Sequence, residues 1–302
     1  MSTEKRSHEA HSEWYEIQYA TSEAKDKAIA RWEYDRQHHT INDWIHQRQL
    51  QLANPFTQEP KSWLTIGDGY GFDANHFFRK GLDVTATDIS ETFLPLAASR
   101  GFIDKYSVEN VEKLSFQDDS FDYVFCKEAY HHFPRPYLGV YEMIRVAREA
   151  IILVEPHDPI SKMPFLLALR NIFDRIDTGL LQKYWKNRYS FEEVGNYVFK
   201  LSEREMDKLA NGMGLPMVAF KGINNNYYHP ASSLEKADDS SPAFRKIKRK
   251  LAMHDFLCKT SLMPYQVLCA VIFKKVPSPS VIRAMHEAGF QVHVFPPNPY
   301  AR

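Results

Sequence analysis

The chain has 302 residues and a mass of 35.2 kDa, enough for about two domains or one enlarged α/β domain. Lys plus Arg equals Asp plus Glu at 38 each, which argues against a protein that binds nucleic acid or anionic membranes through its overall charge. Three cysteines are too few for a disulfide framework. No apolar segment resembles a signal peptide or a membrane span, so we expect a cytoplasmic protein without membrane insertion.

The first 57 residues and the segment that follows differ in their patterning. Apolar residues recur at helical spacing over residues 12–52, which predicts an N-terminal helical cap over residues 1–57. From Lys61 onward, short apolar runs alternate with helical stretches. This alternation predicts a doubly wound, Rossmann-like α/β sheet that binds its ligand at the carboxyl ends of the strands. The strands are expected at residues 62–67, 83–88, 106–108, 121–126 and 150–155.

The alternation of predicted strands and helices stops after Pro156, where a basic, aromatic segment fits no strand. The expected organisation is a cap, a ligand-binding core, a helical substrate insertion with its return helix, two final strands around a basic helix, and a C-terminal tail. These parts span residues 1–57, 58–157, 158–214, 215–276 and 277–302. The tail contains one stretch that fits a further helix and strand.

A glycine-rich turn follows the first predicted strand. It contains Gly67, Asp68, Gly69 and Gly71, and Asp88 ends the next strand. Glycines let a backbone approach a ligand closely, and a carboxylate at a strand end can accept hydrogen bonds from both hydroxyls of a ribose. The spacing therefore predicts a nucleoside site, although a tight turn beside a solvated aspartate would give the same pattern.

The residues of this turn also discriminate between nucleoside cofactors. A dinucleotide fingerprint needs a third glycine where the chain has Phe72, and a P-loop needs Lys with Ser or Thr where residues 73–75 are Asp, Ala and Asn. Asp68 would repel a pyrophosphate but would tolerate the ammonium group of an amino-acid arm. The charges therefore favour S-adenosylmethionine.

With these motifs, the segment from Trp63 to Pro156 resembles the class I S-adenosylmethionine-dependent methyltransferases, in particular the methyltransferase type 11-like group of small-molecule enzymes. The resemblance implies that the three glycines and Asp68 lie along the methionine end of the cofactor. It further implies contacts to the ribose and adenine from Asp88, Ile89, Asn110 and Val111. The chain departs from the family at Thr65, where an acidic residue is usual, and at Asn110, where aspartate is usual.

A methyltransferase also needs a group that accepts a proton when the acceptor is a hydroxyl or an ammonium. His131 and His132 follow the fourth predicted strand, and histidine titrates near neutral pH. Either one is a candidate catalytic base, and the pair would also fit a structural, hydrogen-bonded role. Glu155, His157 and Asp158 have side chains that can ligate a metal, but their close spacing on an extended strand favours helix capping, so we expect no metal.

The acceptor is the least constrained part of the prediction. Aromatic and amide side chains at 184–189 and 224–229 suit a sugar or glycoside, and they suit helix packing equally well. Residues 245–250 form a basic cluster that would suit a phosphate or an acidic lipid, or would be an ordinary solvated helix face. We predict in-line methyl transfer to oxygen or nitrogen of a small polar acceptor, with no nucleic-acid partner. The alternatives are a catalytically silent cofactor-binding subunit and a nicotinamide-dependent oxidoreductase.

Overall fold

A computed structural model describes residues 13–159, 163–176, 179, 191, 197–225 and 232–297 of the protein. Its strands are β1 (Ser62–Ile66), β2 (Asp83–Asp88), β3 (Lys105–Val108), β4 (Phe121–Lys127), β5 (Ala147–Pro156), β6 (Met217–Ile223), β7 (Val267–Phe273) and β8 (Gln291–Val294). The helices are α1 (Ser22–Gln37), α2 (Ile41–Leu50), α3 (Phe72–Phe78), α4 (Leu94–Ser99), α5 (Pro136–Val146), α6 (Pro164–Ile176), α7 (Glu203–Gly212), α8 (Pro242–Lys259) and α9 (Pro279–Glu287). Two 3₁₀ helices cover Gln51–Phe56 and Tyr130–His132.

All eight strands belong to one sheet, in the order β3-β2-β1-β4-β5-β7-β6-β8. The first five strands are parallel, whereas β7 runs antiparallel to both β5 and β6. Because β1, β2 and β4 are parallel, their carboxyl ends lie at one edge of the sheet, and the strand order reverses between β1 and β4. In doubly wound sheets a ligand crevice opens at such a reversal. The predicted fold class is confirmed.

Helices cover both faces of the sheet because successive strand residues point to opposite sides. In β1, Trp63 stacks on Phe77 of α3 on one face, and Leu64 belongs to the apolar cluster on the other face, which includes Met143 of α5. Both strand residues are fully buried. The two apolar layers hold the strand ends in fixed positions, and the loops that follow those ends are fixed with them.

The N-terminal helices lie over the carboxyl edge of the sheet. Thr21 and Thr40 cap α1 and α2, since each hydroxyl accepts a hydrogen bond from a main-chain N–H in the first helical turn. α2 packs Ile41 against the apolar face of α8. A helical turn at residues 13–18 reaches the glycine turn, where the hydroxyls of Tyr19 and Tyr70 lie 2.8 Å apart.

The predicted insertion and tail are described only in part. α6 and α7 lie within the predicted insertion and return helix, and the aromatic run at 184–189 is outside the described residues. α9 and β8 lie within the predicted tail. Among the described residues, no helix combines the length and apolar character that a membrane crossing requires.

Candidate functional site

Gly67 lies at the end of β1, in a conformation that favours glycine. Its φ is +66°, in the left-handed region that side-chain-bearing residues rarely adopt. A Cβ atom at this position would overlap the Cβ of Ala129, which follows β4. The close approach of the two loops therefore depends on the missing side chain.

Gly69 lies against the carboxylate that ends β2. A Cβ atom there would lie 3.1 Å from the hydroxyl of Tyr15 and 3.3 Å from Oδ2 of Asp88. The missing side chain therefore lets the main chain of Gly69 approach Asp88 and Tyr15 closely. Gly71 has a different position: it begins α3 with φ at +72° and faces Ala97 and Ile103.

Asp68 is buried, and its carboxylate points toward the start of α3. It accepts hydrogen bonds from the Thr65 hydroxyl at 2.9 Å and from the main-chain N–H groups of Asp73 and Ala74 at 3.2 and 2.8 Å. Burial and the neighbouring Asp73 carboxylate raise the pKa of Asp68 to about 8. Asp68 therefore caps α3, and Thr65 contributes to this cap.

A crevice of about 120 Å³ opens beside the glycine turn. Asp88 lies at its base and accepts a 2.8 Å hydrogen bond from the N–H of Ser90. Burial, countered in part by main-chain hydrogen bonds, raises the pKa of Asp88 to about 6. Six predicted site residues line the crevice together: Gly67, Asp88, Ile89, Asn110, Val111 and His132. The structure thus brings six of the ten predicted site residues to one crevice, and Asp68, Gly69, Gly71 and His131 lie outside its lining.

His131 and His132 have different surroundings although their rings are only 4.0 Å apart, centroid to centroid. His132 lines the crevice. His131 places Nδ1 2.6 Å from Oε2 of Glu155, a carboxylate without solvent exposure. The other oxygen of Glu155 accepts hydrogen bonds from the N–H groups of Ala129 and Tyr130, both at 2.9 Å. Glu155 thus holds the start of the 3₁₀ helix and orients the imidazole of His131.

The carboxylate of Glu155 is occupied by donors from the protein itself, as the helix-capping interpretation predicts. His157 turns Nδ1 toward the carbonyl oxygen of Tyr265, 3.0 Å away. In the part of the chain that the structure describes, no cluster of three or more His, Cys, Asp or Glu side chains could hold a metal ion.

A second cavity, of about 450 Å³, lies between the glycine turn and the helices α1 and α2. It shares Tyr15, Gly67 and Glu128 with the crevice, so these three residues form the junction between the two spaces. Gly69 and Asp68 line this cavity rather than the crevice. The other contributors are mainly polar and aromatic side chains of the N-terminal helices, including Arg31, Trp32, Asp35, Arg36, Asp43 and His46.

Glu128 follows β4 directly and was not selected from the sequence. Its φ is +52°, in the left-handed region, and its Oε1 accepts a 2.8 Å hydrogen bond from the amide of Gln49 on α2. Burial opposes ionisation of Glu128, but the nearby Lys127 ammonium and the Gln49 amide outweigh it and lower the pKa. The sequence signal that could have indicated Glu128 is its position as a polar residue at the carboxyl end of a parallel strand. Tyr15 had no comparable signal, because packing alone brings it to the crevice.

Comparison with known proteins assigns the core of the chain. Residues 64–154 match the family model described as "Methyltransferase domain". This part of the chain therefore matches a methyltransferase domain, in agreement with the sequence resemblance. The family implies S-adenosylmethionine as the methyl donor.

Two relatives are similar to this chain in sequence. A Bacillus subtilis protein named "Uncharacterized methyltransferase YcgJ" is 34% identical over 109 residues, which is 32% of this chain and 42% of that protein. The alignment thus spans less than half of the relative's length. The "Ubiquinone biosynthesis O-methyltransferase" of Coxiella burnetii is 24% identical over 196 residues, covering 61% of this chain and 78% of that enzyme.

Solved structures with a similar fold include YcgJ of Bacillus subtilis, with a TM-score of 0.47 and 20% identity over 76% of this chain and all of that chain. Another is a SAM-dependent methyltransferase from Archaeoglobus fulgidus, with a TM-score of 0.49 and 13% identity over 81% of this chain and 99% of that chain.

Proposed function

We propose that the protein transfers a methyl group from S-adenosylmethionine to oxygen or nitrogen of a small polar acceptor. The observation that carries this proposal is the crevice at the reversal of the strand order, which Gly67, Asp88 and Asn110 line together. A nucleoside with an amino-acid arm suits such a crevice, because the arm needs close main-chain contact and the ribose needs a hydrogen-bond acceptor.

Five residues of the crevice and the neighbouring Gly69 have roles in this proposal. The main chain of Gly67 and Gly69 would lie along the amino-acid arm, and Asp88 would accept hydrogen bonds from the ribose hydroxyls. Ile89 and Val111 would pack against the adenine, beside Asn110. When bound, the cofactor supplies a methyl group on a sulfonium, which needs no further activation. The protein aligns the acceptor with that methyl group and excludes water.

The pair formed by His131 and Glu155 supports a role in proton transfer. A carboxylate on Nδ1 fixes the orientation of an imidazole and stabilises its protonated form. We assign His131 as the group that accepts the proton of a hydroxyl or ammonium acceptor, with His132 as the neighbouring wall of the crevice. A purely structural role of the pair is the competing interpretation, and a variant at position 131 separates the two.

The acceptor is proposed only as a class. The sugar or glycoside suggested by the sequence rests mainly on residues outside the described part of the chain. Within it, the amide of Asn224 donates to Asp255 at 2.8 Å, and the amide of Asn225 donates to the carbonyl oxygen of Ile45 at 2.9 Å. These two side chains therefore serve packing, and a saccharide acceptor stays a prediction.

Calorimetric titration with S-adenosylhomocysteine and with NADH tests the cofactor assignment. We expect saturable binding of S-adenosylhomocysteine and no heat from NADH, because the turn lacks the third glycine of a dinucleotide site. Tight NADH binding with no response to S-adenosylhomocysteine would replace the methyltransferase by an oxidoreductase.

A second candidate function, a cofactor-binding subunit without turnover, is favoured by Thr65 at the position where the family has an acidic residue. Incubation with cofactor labelled in the methyl group and a small-molecule extract of the source cells distinguishes the two. Transfer of label to any extracted compound supports the enzyme. Binding of S-adenosylhomocysteine without transfer in any fraction would favour the silent subunit.

A further inference from the structure

A third space, the β6 cavity, has a volume of about 420 Å³ and lies where β6 ends, with Lys221 and Gly222 of that strand in its wall. β6 runs in the same direction as β1, so both strands end at the same edge of the sheet, but three strands separate them. Within the described part of the chain, none of its lining residues also lines the crevice or the cavity beneath α1 and α2. The β6 cavity is therefore separate from the residues assigned to the cofactor.

Three positively charged side chains reach the β6 cavity from three different elements. Arg48 comes from α2, Lys221 from β6 and Lys259 from the last turn of α8. The guanidinium of Arg48 lies 5.0 Å from the ring centre of Trp44, and its Nη2 donates to the main-chain oxygen of Asn224 at 3.2 Å. Among the described residues, no carboxylate lies within ion-pair distance of Arg48 or Lys221. The charge of Arg48 is thus held in place without an ion-pair partner.

The surroundings of Lys221 are unfavourable for a second positive charge. Lys221 is half-buried, and its Nζ lies 5.7 Å from the ring centre of Phe290. Burial lowers the pKa of Lys221, and repulsion from the nearby guanidinium of Arg48 acts in the same direction. Like charges repel strongly where water is partly excluded, and an anion between them relieves that repulsion.

Two carboxylates also line the β6 cavity, and they do not pair with these two cations. Asp255 accepts a 2.8 Å hydrogen bond from the amide of Asn224, and Glu203 begins α7. Attraction by Asp255 offsets only part of the burial that lowers the pKa of Arg48. With three cations against two carboxylates, the wall has an excess of one positive charge.

The rest of the wall suits the organic part of a ligand. Gly222 has no side chain, and the ring of Tyr265 comes within 2.4 Å of the position that a Cβ atom would take. Tyr265 therefore packs directly on the main chain of β6, and it lines the cavity together with Phe220 and Ile223. An apolar wall beside a few convergent polar groups is the usual composition of a small-molecule site.

We propose that the β6 cavity binds the phosphate group of a small molecule between Arg48 and Lys221. A phosphate group presents three acceptor oxygens and up to two negative charges, so both cations can pair with it at once, whereas a carboxylate has a single charge. The guanidinium suits phosphate oxygens through parallel N–H groups, and the ammonium adds a point charge. This site goes beyond the proposed methyl transfer, because it uses none of the residues assigned to that reaction.

Acetylation of lysines in the wild-type protein tests the site, because an amine reacts only in its neutral form. The protein is treated with an amine-acetylating reagent while inorganic phosphate is titrated at constant ionic strength, and mass spectrometry follows each lysine. We expect phosphate to slow acetylation of Lys221 by about fivefold or more, since a bound anion covers the amine and favours its charged form. The exposed Lys246 of α8 should react at an unchanged rate. An unchanged rate at Lys221 would overturn the proposal.

Two further samples separate phosphate from other ligands. Formate at the same ionic strength should leave the acetylation rate of Lys221 unchanged, because its single charge cannot pair with both cations. Saturating S-adenosylhomocysteine should also leave it unchanged. Protection by formate equal to that by phosphate would overturn the phosphate assignment. Protection by S-adenosylhomocysteine would assign the cavity to the cofactor instead.

Arg48→Gln tests the second cation of the site. The phosphate concentration that gives half of the maximal protection of Lys221 should rise about tenfold or more, as is typical when a hydrogen bond to a charged group is lost. Arg249→Gln, at an exposed arginine of α8, is the matched control and should keep the wild-type value. Equal values in Arg48→Gln and the wild type would overturn the assignment. The labelling of wild-type protein does not depend on the folding of this variant.

Discussion

The crevice beside β1 and the cavity beneath α1 and α2 are built in different ways. The crevice is formed by loops that follow neighbouring parallel strands, and its main features are a bare main chain and one carboxylate. The cavity is formed by side chains of α1 and α2 together with the glycine turn and the end of β4, and its walls contain ion pairs. The first arrangement suits a ligand of fixed chemistry. One wall of the second can change with the sequence of two helices.

The largest effect should come from His131, the group assigned to proton transfer. His131→Asn should lower methyl transfer by about 100-fold or more, because positioned acid–base groups typically contribute that much. Affinity for S-adenosylhomocysteine should stay within about twofold, since His131 contacts Glu155 rather than the crevice. His286→Asn, on exposed α9, is the control. If the His131→Asn variant kept the wild-type rate from pH 6 to 9, the pair formed by His131 and Glu155 would have only a structural role.

The next effect concerns the main-chain wall of the crevice. Gly67→Ala adds both a left-handed alanine and an overlap with Ala129, whereas Gly81→Ala adds only the left-handed conformation, with nothing within 4 Å. We expect losses in the free energy of unfolding of about 3 kcal/mol for the first and about 1 kcal/mol for the second. Urea denaturation measures both. Equal losses would show that the close approach of the two loops contributes nothing.

The carboxylate wall should give a somewhat smaller effect. Asp88→Ala should weaken binding of S-adenosylhomocysteine by about 1.5–3 kcal/mol, or about 10- to 150-fold, as is typical when a hydrogen bond to a charged group is lost. Asp83→Ala, at the exposed start of the same strand, removes a surface ion pair with Lys105 and should leave affinity unchanged. Unchanged calorimetric affinity in the first variant would place the ribose elsewhere.

The smallest effect tests the helix on which the glycine turn rests. Burial lowers the pKa of His76 in α3 to about 3. Between about pH 3 and about pH 6.5, the unfolded chain therefore binds a proton at His76 that the folded protein does not bind. Stability is therefore lost as the pH falls through this range, by about 2 kcal/mol between pH 7.5 and 5. His76→Gln should reduce that loss in urea titrations at the two pH values, whereas His286→Gln should retain it.

The sequence predicted the crevice better than the cavity for a physical reason. The glycine turn, Asp88 and residues 110–111 each follow a strand, and parallel strands bring such positions together whatever the surrounding chain does. Gln49 and Glu128 meet only because α2 folds back over the sheet, and Tyr15 reaches the crevice from the helical turn at 13–18. No local pattern encodes either packing. Asp68 was selected as a ligand contact, and the sequence did not show that its carboxylate caps α3.

The orientation of the last strands was also beyond local reasoning. β6 and β7 are both short apolar runs, and their sequences do not distinguish parallel from antiparallel pairing. The basic cluster at 245–250 lies on α8, and Ile247 within it packs against α2. A solvated helix face with one buried apolar side is therefore the observed arrangement of that segment.

The final strand protects the sheet from other copies of the protein. β8 pairs with β6 through Phe220 to Met217, and Phe290 just before it packs against Phe56. Without β8, the outer side of β6 would present unpaired N–H and C=O groups, which are a template for edge-to-edge association. A chain shortened before residue 279 should therefore self-associate, visibly in light scattering, while the crevice beside β1, at the opposite half of the sheet, keeps its shape.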